Sequence, residues 1–306
     1  MQTSAVSPSG TQWMIKSGDH EAVVVEVGGG LRTYRSSGRD VVDGYEESEL
    51  CPSGAGQVLA PWPNRIRDGR YTFGGQAQQL ALSEPIHHNA VHGLVRWAPW
   101  RATEVSDSSV TLEYRLPAQT GYPWTLQLTT TWTLDGEGLR ADHTATNLSG
   151  RPAPFGLGAH PYLAVPGSVD DVVLSVPARS RLLMDGRALP IGAARVAGSE
   201  YDFTSPRPIG ASPLNTAFGE VPAGGTRVEL STVDGGPLVT VWADGAFGWW
   251  QMYTADTAPA PRTRRSVAVE PMTCPPDAFN SGRDVITLEP GQTWQGSWGI
   301  TPAPGR

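Results

Sequence analysis

Apolar and polar residues alternate with a period of two along much of this chain, which is the pattern of β-strands that bury one face. In the stretch TLQLTTTWTL, every second residue from Leu126 to Leu134 falls on the same face of such a strand. Asp135-Gly136 follows as a turn signal, and Leu139–Ala145 is predicted as the returning strand. The segment therefore predicts a β-hairpin.

Further strands are predicted in every part of the chain, separated by turns rich in glycine and proline. They are Ala22–Val27, Val110–Leu116, Val172–Val176, Arg227–Ser231, Leu238–Trp242, Trp249–Tyr253, Ser266–Val269 and Trp294–Ile300. No long segment keeps the apolar spacing of an amphipathic helix. We therefore predict an all-β chain that forms a large antiparallel β-sandwich. The sequence has no linker and no repeat, which favours a single domain over residues 1–306 with loose ends at 1–10 and 302–306.

The composition adds that the chain is rich in turns and carries a negative charge. Its 306 residues include 36 glycines and 27 prolines, while 39% of the residues are hydrophobic, which is enough for a substantial core. With 23 Lys and Arg against 30 Asp and Glu, the net charge is −7. This charge argues against the binding of nucleic acid or of an anionic membrane.

The cysteines and the N-terminal sequence bear on the cellular compartment. Cys51 and Cys274 are too few for a disulfide framework and lack the spacing of a zinc site, so reduced thiols are expected. The N-terminal residues show no basic region followed by an apolar one, and no apolar stretch approaches the roughly 18 residues of a membrane span. We therefore expect a cytoplasmic protein.

A first group of candidate functional residues lies in the stretch PWPNRIRDGRY. Pro61 and Pro63 restrict the backbone, so this loop is expected to be stiff. An arginine on a stiff loop, such as Arg65, is a good donor to the oxygens of a ligand. The alternative is that Arg65 or Arg67 forms a surface ion pair with Asp68.

A second group lies in the stretch HHNAVHGLVRW, which contains three of the six histidines. His88 and His92 are four residues apart, a spacing that can bind a metal ion on a helix. Pro85 before them and Gly93 after them argue against a helix, and no glutamate completes an HExxH motif. Neutral imidazoles that hydrogen-bond to a hydroxylated ligand are therefore the preferred interpretation, and no metal is expected. For His87 we expect a solvated position.

A third group is split between two distant segments. His160 stands before Pro161 and Glu270 stands before Pro271, each after an apolar strand. We expect both side chains at strand ends that face a cleft. A histidine and a glutamate in the same context make an acid–base site plausible.

Four motifs in this chain resemble those of the aldose 1-epimerase (galactose mutarotase) family: PWPNRIRDGRYTFGG, NAVHGLVRW, GLGAHPYL and AVEPMTCPPDAFNSG. They occur in the family's order and span about 28–298. The resemblance implies a β-supersandwich that binds a free aldose in an open cleft, without metal or cofactor. It implies that His160 is the general acid on the ring oxygen and Glu270 the general base on the anomeric hydroxyl. It also implies that Arg65 and His92 bind the substrate.

This chemistry needs two distinct proton-transfer groups. A proton leaves the anomeric hydroxyl, another reaches the ring oxygen, the ring opens, and it closes again from the other face. We expect the acid and the base on opposite sides of the reacting bond. Reference pKa values of about 4.3 for Glu and 6.5 for His predict a carboxylate and a partly charged imidazole near neutral pH.

Two further residues concern the choice of sugar. The family usually places an Asp that contacts the sugar where this chain has Asn215, so the preferred sugar is in question. Asn keeps an acceptor oxygen and adds two donors, but it loses the charge. Trp249 is a candidate for stacking on the apolar face of a pyranose.

The preferred interpretation is a mutarotase that acts on a free sugar, and we expect this enzyme to be a monomer or weak dimer. Three other functions compete with it. A hexose-6-phosphate epimerase would find its phosphate site at Arg262, Arg264 and Arg265, although such a cluster is more often solvated. A non-catalytic sugar-binding protein would be expected to have lost His160 or Glu270. A glycosidase needs two carboxylates that flank the bond, and only Glu270 is a clear candidate.

Overall fold

Residues 6–304 are described by the structure, a computed structural model, and most of their regular structure is β. The strands in chain order are β1 (Gln12–Ser17), β2 (His20–Val25), β3 (Leu31–Ser36), β4 (Arg39–Asp40), β5 (Val58–Leu59), β6 (Arg65–Arg67), β7 (Arg70–Phe73), β8 (Gln76–Gln79), β9 (Asn89–Val91), β10 (Arg101–Val105), β11 (Ser109–Leu116), β12 (Leu126–Asp135), β13 (Gly138–Asn147), β14 (Ala153–Phe155), β15 (Gly158–Ala159), β16 (Tyr162–Ala164), β17 (Val172–Ser175), β18 (Ser180–Met184), β19 (Pro190–Arg195), β20 (Arg207–Pro208), β21 (Asn215–Gly219), β22 (Gly225–Thr232), β23 (Pro237–Asp244), β24 (Trp249–Tyr253), β25 (Ser266–Met272), β26 (Ile286–Leu288) and β27 (Thr293–Pro302). The helices are α1 (Ala278–Ser281) and the 3-10 turns Pro52–Gly54, Pro85–His87 and Val169–Asp171. None of the helices within residues 6–304 has the length and apolar character to span a membrane.

Two large antiparallel sheets form the body of the molecule. The nine-stranded sheet has the order β10-β11-β12-β13-β27-β23-β22-β17-β20. The eight-stranded sheet has the order β19-β18-β21-β24-β25-β15-β5, and β16 also pairs with β25. A four-stranded sheet, β1-β2-β3-β4, contacts β12 through β1 and β2. Three smaller pairs are β6-β9, β7-β8 and β14-β26.

One apolar core fills the space between the two large sheets. Leu128 and Trp132 of the nine-stranded sheet belong to the same buried cluster as Trp250 and Val269 of the eight-stranded sheet. Burial of these side chains from both sheets supplies the main driving force for the packing. The predicted all-β fold with a large antiparallel sandwich is confirmed.

The hairpin β12–β13 is confirmed at the residue level. Buried and partly exposed side chains alternate along β12, and Asp135 pairs with Gly138 at the turn. The Asp135 carboxylate accepts from the backbone N–H groups of Glu137 and Gly138 at 2.8 and 3.2 Å. An aspartate that bonds to the backbone two residues ahead favours a tight turn, which is why the sequence signal was reliable here.

The prediction of loose termini at 1–10 and 302–306 falls partly outside the described residues and stays a prediction. Residues 1–5 and 305–306 lie outside the described part. Val6 and Pro304, which adjoin them, are exposed, whereas residues slightly further along the chain are paired. Ser9 is buried, and its carbonyl accepts from the Val27 N–H at 3.0 Å. Pro302 pairs with Val239 as the last residue of β27. Backbone pairing therefore holds Ser9 and Pro302 against neighbouring segments of the chain.

His143 is a buried histidine of the core, and its contacts fix one neutral form. The Trp298 indole N–H, which can only donate, lies 2.9 Å from His143 Nε2, while Nδ1 lies 2.9 Å from the Thr130 hydroxyl. Nε2 is therefore the acceptor and Nδ1 carries the proton. Burial lowers the pKa of His143 from 6.5 to about 4, with Asp142 opposing the shift.

This depressed pKa predicts a loss of stability in mild acid. Below pH 6.5 the unfolded chain binds a proton at His143 that the folded chain excludes, so the free energy of unfolding falls as pH falls towards about 4. The expected contribution is about 1.4 kcal/mol per pH unit, measured by urea unfolding across that range. His143→Gln keeps an acceptor but cannot titrate, so the slope of its free energy of unfolding against pH should be smaller by the contribution of up to one bound proton. An unchanged slope would contradict a neutral His143 with a lowered pKa.

Candidate active site

One register in the eight-stranded sheet brings His160 and Glu270 together. β15 pairs with the end of β25 and β16 with its beginning, and the two pairings share one register. His160 lies between β15 and β16, so that register puts it directly opposite Glu270. On the other side of β25, Gln251 of β24 pairs with Glu270. Directly opposed residues present their side chains on the same face of a sheet, so these three form one row.

The expectation of a strand end is wrong for Glu270, whereas His160 directly follows the last residue of β15. Glu270 lies inside β25, which continues to Met272, and the sheet resumes after His160 with β16. Pro161 and Pro271 lack an N–H group, so each interrupts the hydrogen-bond ladder without ending the sheet. Glu270 therefore stands inside a strand, and His160 stands in the two-residue break between β15 and β16.

The two groups touch each other in a buried setting. His160 Nε2 lies 3.5 Å from Glu270 Oε1, and the side chains are 6% and 3% exposed. Among the described residues, His160 Nδ1 and Glu270 Oε2 have no hydrogen-bond partner. Buried polar atoms without partners are rare and need an explanation, and a polar ligand bound at this row supplies one.

Burial sets the charges of the pair. It raises the pKa of Glu270 to about 8, an effect that Arg65 opposes. It lowers the pKa of His160 to about 3, and Arg96 and Arg65 contribute in the same direction. A dry environment disfavours the charged form of both groups. At neutral pH the pair therefore holds one exchangeable proton besides the N–H of the neutral imidazole, and in the resting protein this proton is on Glu270. The carboxylate and partly charged imidazole expected from reference values are corrected.

His92 stands beside this pair as a neutral donor. Its ring meets the ring of His160 edge to face, with 5.3 Å between the centroids. The backbone N–H of Asn64 donates to His92 Nδ1 at 3.3 Å, so Nε2 carries the proton of the neutral ring. Burial is the main cause that keeps the pKa of His92 well below its ordinary value. Both Asn64 and His92 have left-handed backbone angles, φ 54° and 61°.

Arg65 is fixed by a carboxylate that the sequence interpretation missed. Its Nε and Nη2 donate to Glu84 at 2.8 Å each, a two-pronged ion pair that is largely buried. The alternative of a surface pair with Asp68 is therefore wrong; Asp68 pairs with Arg187 and with His88. Arg65 Nη1 also donates to Asn64 Oδ1 at 3.5 Å. Arg65 lies close enough to influence the pKa of His160 and of Glu270, and it keeps further N–H groups for a ligand.

Gln251 is a site residue that the sequence analysis did not find. It is 1% exposed, and its Nε2 donates to Asn215 Oδ1 at 2.7 Å. Its Oε1 is buried and has no partner among the described residues. Asn215, at the exposed start of β21, therefore hydrogen-bonds to the residue that pairs with Glu270 in the sheet. The only available signal was a single polar residue in the otherwise apolar strand WWQMY.

Trp249 lies on the same face of the sheet as Glu270, but its ring is covered. It is 2% exposed, and the Arg283 guanidinium lies 4.5 Å from the ring centroid. Its indole N–H donates to Asp284 at 2.8 Å. The expectation of an open stacking face is therefore wrong, because the indole is packed beneath Arg283 and does not line a free surface.

The histidine pair that the metal alternative required is not arranged to bind a metal. His88 and His92 both have left-handed backbone angles and neither lies on a helix. His88 is exposed, and its Nδ1 lies 2.9 Å from Asp68 Oδ1. Residues 6–304 contain no group of three or more His, Cys, Asp or Glu side chains that could hold a metal ion. His87 is partly exposed, and Arg187 donates to its carbonyl at 2.9 Å.

The arginine cluster that supported a phosphate site is neutralised by carboxylates. Arg262 and Arg265 both pair with Asp43, at 3.7 and 3.2 Å, and Arg264 pairs with Asp170. A cluster whose charges are already paired gives no local support to a phosphorylated substrate.

Comparison with known proteins shows the family of this chain. The family model described as aldose 1-epimerase matches residues 11–301. The uncharacterized protein YihR of Escherichia coli (strain K12) is 33% identical over 294 residues, which are 95% of this chain and 93% of YihR. The galactose mutarotase of Rattus norvegicus is 32% identical over 196 residues, 59% of this chain and 55% of that protein.

The fold agrees with a solved structure as well. A GalM/aldose epimerase homologue from C. elegans matches with a TM-score of 0.83 at 16% identity, over 96% of this chain and 100% of the other. At this identity the likeness concerns the fold, while the family model and YihR cover nearly the whole sequence. The chain belongs to the aldose 1-epimerase family.

Proposed function

We propose that this chain is a mutarotase that interconverts the α and β anomers of a free aldose by acid–base catalysis. The observation that carries this proposal is the buried His160–Glu270 pair, 3.5 Å apart, in which each side chain keeps one polar atom without a partner. Galactose mutarotase among the relatives supports a neutral hexose as the substrate.

The proposed reaction uses the single proton that the pair holds. When the sugar binds, that proton moves to His160 and leaves Glu270 as a carboxylate. Glu270 removes the proton of the anomeric hydroxyl while His160 protonates the ring oxygen; the bond between the anomeric carbon and the ring oxygen breaks, and an open-chain aldehyde forms. Rotation about the neighbouring C–C bond and the reverse proton transfers close the ring from the other face.

The side-by-side position of the two groups suits this chemistry. The hydroxyl oxygen and the ring oxygen are bonded to the same carbon, so one acid and one base on the same face of a sheet can reach both. This proposed arrangement differs from the expectation of groups on opposite sides of the reacting bond. His92, Arg65 and Gln251 surround the pair with donors and an acceptor for the remaining hydroxyls.

The proposal extends to the cellular compartment and the oligomeric state. Cys51 and Cys274 are both buried free thiols, which suits a cytoplasmic protein. The His160–Glu270 pair and the side chains around it all come from one chain, which suits activity as a monomer or weak dimer, without a cofactor.

The test is anomeric exchange measured by NMR on galactose, glucose and other free aldoses, with one hexose 6-phosphate included. We expect exchange of at least one free aldose far above the buffer rate, unchanged by EDTA. Exchange of the phosphate alone would favour the phosphohexose alternative. Sugar binding without any exchange would favour a binding protein, and loss on chelation with recovery on zinc would require a metal.

Arg65→Ala should raise KM for the sugar by about tenfold and lower kcat less. Its free N–H groups bind hydroxyls in the ground state and in the transition state alike, and a factor of ten is the loss of about one such hydrogen bond. Arg67→Ala is the matched control, because Arg67 pairs with Asp277. Equal losses in kcat and in kcat/KM for Arg65→Ala would instead give Arg65 a role confined to the transition state.

A further inference from the structure

Tyr162 lies flat against the imidazole of His160. The two ring centroids are 4.9 Å apart and the planes differ by 19°. The residues are separated by Pro161, and two positions along an extended chain return a side chain to the same face. Opposite Tyr162 in the sheet stands Ala268, whose small side chain leaves room for the phenol ring.

Hydrogen bonds do little to orient the His160 ring. Its Nδ1 has no partner among the described residues, and its Nε2 meets Glu270 only at 3.5 Å, the outer limit of a hydrogen bond. In many catalytic histidines a hydrogen bond at the second nitrogen fixes the ring. Here the ring contacts are aromatic: Tyr162 covers one face, and His92 meets the ring edge to face at 5.3 Å.

The phenol ring suits the charge that His160 acquires in the reaction. The face of an aromatic ring is negative, so it attracts a cation placed over it. The imidazole is neutral at rest and becomes an imidazolium when it takes the proton of the pair. Burial raises the pKa of the Tyr162 hydroxyl far above its ordinary value, so Tyr162 itself does not exchange a proton near neutral pH.

We propose that Tyr162 is a positioning residue for His160, which holds the imidazole at the angle that proton transfer requires and stabilises its protonated form through the stacked ring. The proposal rests on the proposed function for its catalytic part only. The packing itself, and its effect on His160, exist without a substrate.

Two substitutions separate the ring from the hydroxyl. Tyr162→Phe keeps the stacked ring and should keep kcat for anomer exchange within about threefold of wild type. Tyr162→Leu removes the ring and should lower kcat by about 10–100-fold with KM nearly unchanged, since a small misplacement of a catalytic group has effects of this size. Without the negative ring face the imidazolium is less stable, so the acid limb of the pH profile should move to lower pH in the leucine variant.

Tyr34→Leu is the matched control for the loss of a buried tyrosine. Tyr34 is fully buried and contacts a histidine, His20, away from the site. This variant should lose stability to urea while kcat stays near wild type. Wild-type kcat in Tyr162→Leu would overturn the proposal, and so would a phenylalanine variant as impaired as the leucine variant.

NMR of the histidine side chains tests the positioning without turnover. The His160 ring signals should shift strongly in Tyr162→Leu, because the ring current of the phenol is lost, and only slightly in Tyr162→Phe. If wild type exchanged no sugar, the proposed function would be wrong. The comparison of His160 signals between the variants would still show whether Tyr162 packs on the imidazole. Unchanged His160 signals in Tyr162→Leu would refute the packing role, whatever the activity.

Discussion

Glu270→Gln is expected to lower kcat for anomer exchange by about 10²–10⁴-fold, which is the usual contribution of a positioned acid or base. The amide has the shape of the carboxyl group but cannot take the proton of the anomeric hydroxyl. Because burial keeps Glu270 protonated at rest, with its pKa raised to about 8, neutral Gln is a close match to the resting side chain. Folding and sugar affinity should therefore remain near wild type.

The measurement is exchange between anomers by NMR, together with sugar affinity and the urea midpoint. Glu229→Gln is the control for the change of charge, because Glu229 is exposed on β22. Wild-type exchange in Glu270→Gln would remove Glu270 from the mechanism, and loss of both activity and folding would show a structural role instead.

His160→Gln should lower kcat by a similar amount, about 10²–10⁴-fold. It should also reverse the pH dependence in alkali, so that activity rises with pH where wild-type activity falls. In wild type, activity requires one proton on the pair. Activity should therefore fall as pH rises through the pKa of Glu270, about 8, because the last proton is lost. It should also fall in acid as a second proton enters, far below the ordinary range of histidine, because burial lowers the pKa of His160.

The variant with Gln at position 160 keeps Glu270 as its only titrating catalytic group. Its residual activity needs the carboxylate, so it should rise with pH where wild type declines. The profile of kcat/KM between pH 5 and about 9.5 decides this. A residual activity that declines in alkali as wild type does would assign the alkaline limb to a group other than Glu270.

The sheets could be predicted because one-sided burial leaves a local trace in the sequence. In β12 every second residue faces the core, and Asp135 marks the turn, so both the strand and its partner were visible. β25 was found only as far as Val269, because it is buried on both faces and its polar Glu270 and following proline resemble a strand end.

The site residues were identified in part by resemblance, and their arrangement was not visible in the sequence. The register that places His160 opposite Glu270 depends on pairing between distant segments, which no local pattern encodes. The partner of Arg65 was Glu84 rather than the adjacent Asp68, because the pairing of β6 with β9 brings a different loop close. The packing of Trp249 under Arg283 depends equally on tertiary contacts.

The left-handed backbone at Asn64 and His92 implies a conflict between the side chains that the site requires and the conformational stability of the fold. A left-handed angle is less favourable for most residues with a side chain than for glycine, which adopts it without strain, and asparagine tolerates it better than histidine. Glycine at position 92 would relax the loop yet remove the neutral imidazole that faces His160. With the proposed role of His92 in sugar binding, a laboratory screen for heat resistance alone would enrich glycine variants that bind sugar poorly, whereas a screen that also requires turnover would retain the histidine.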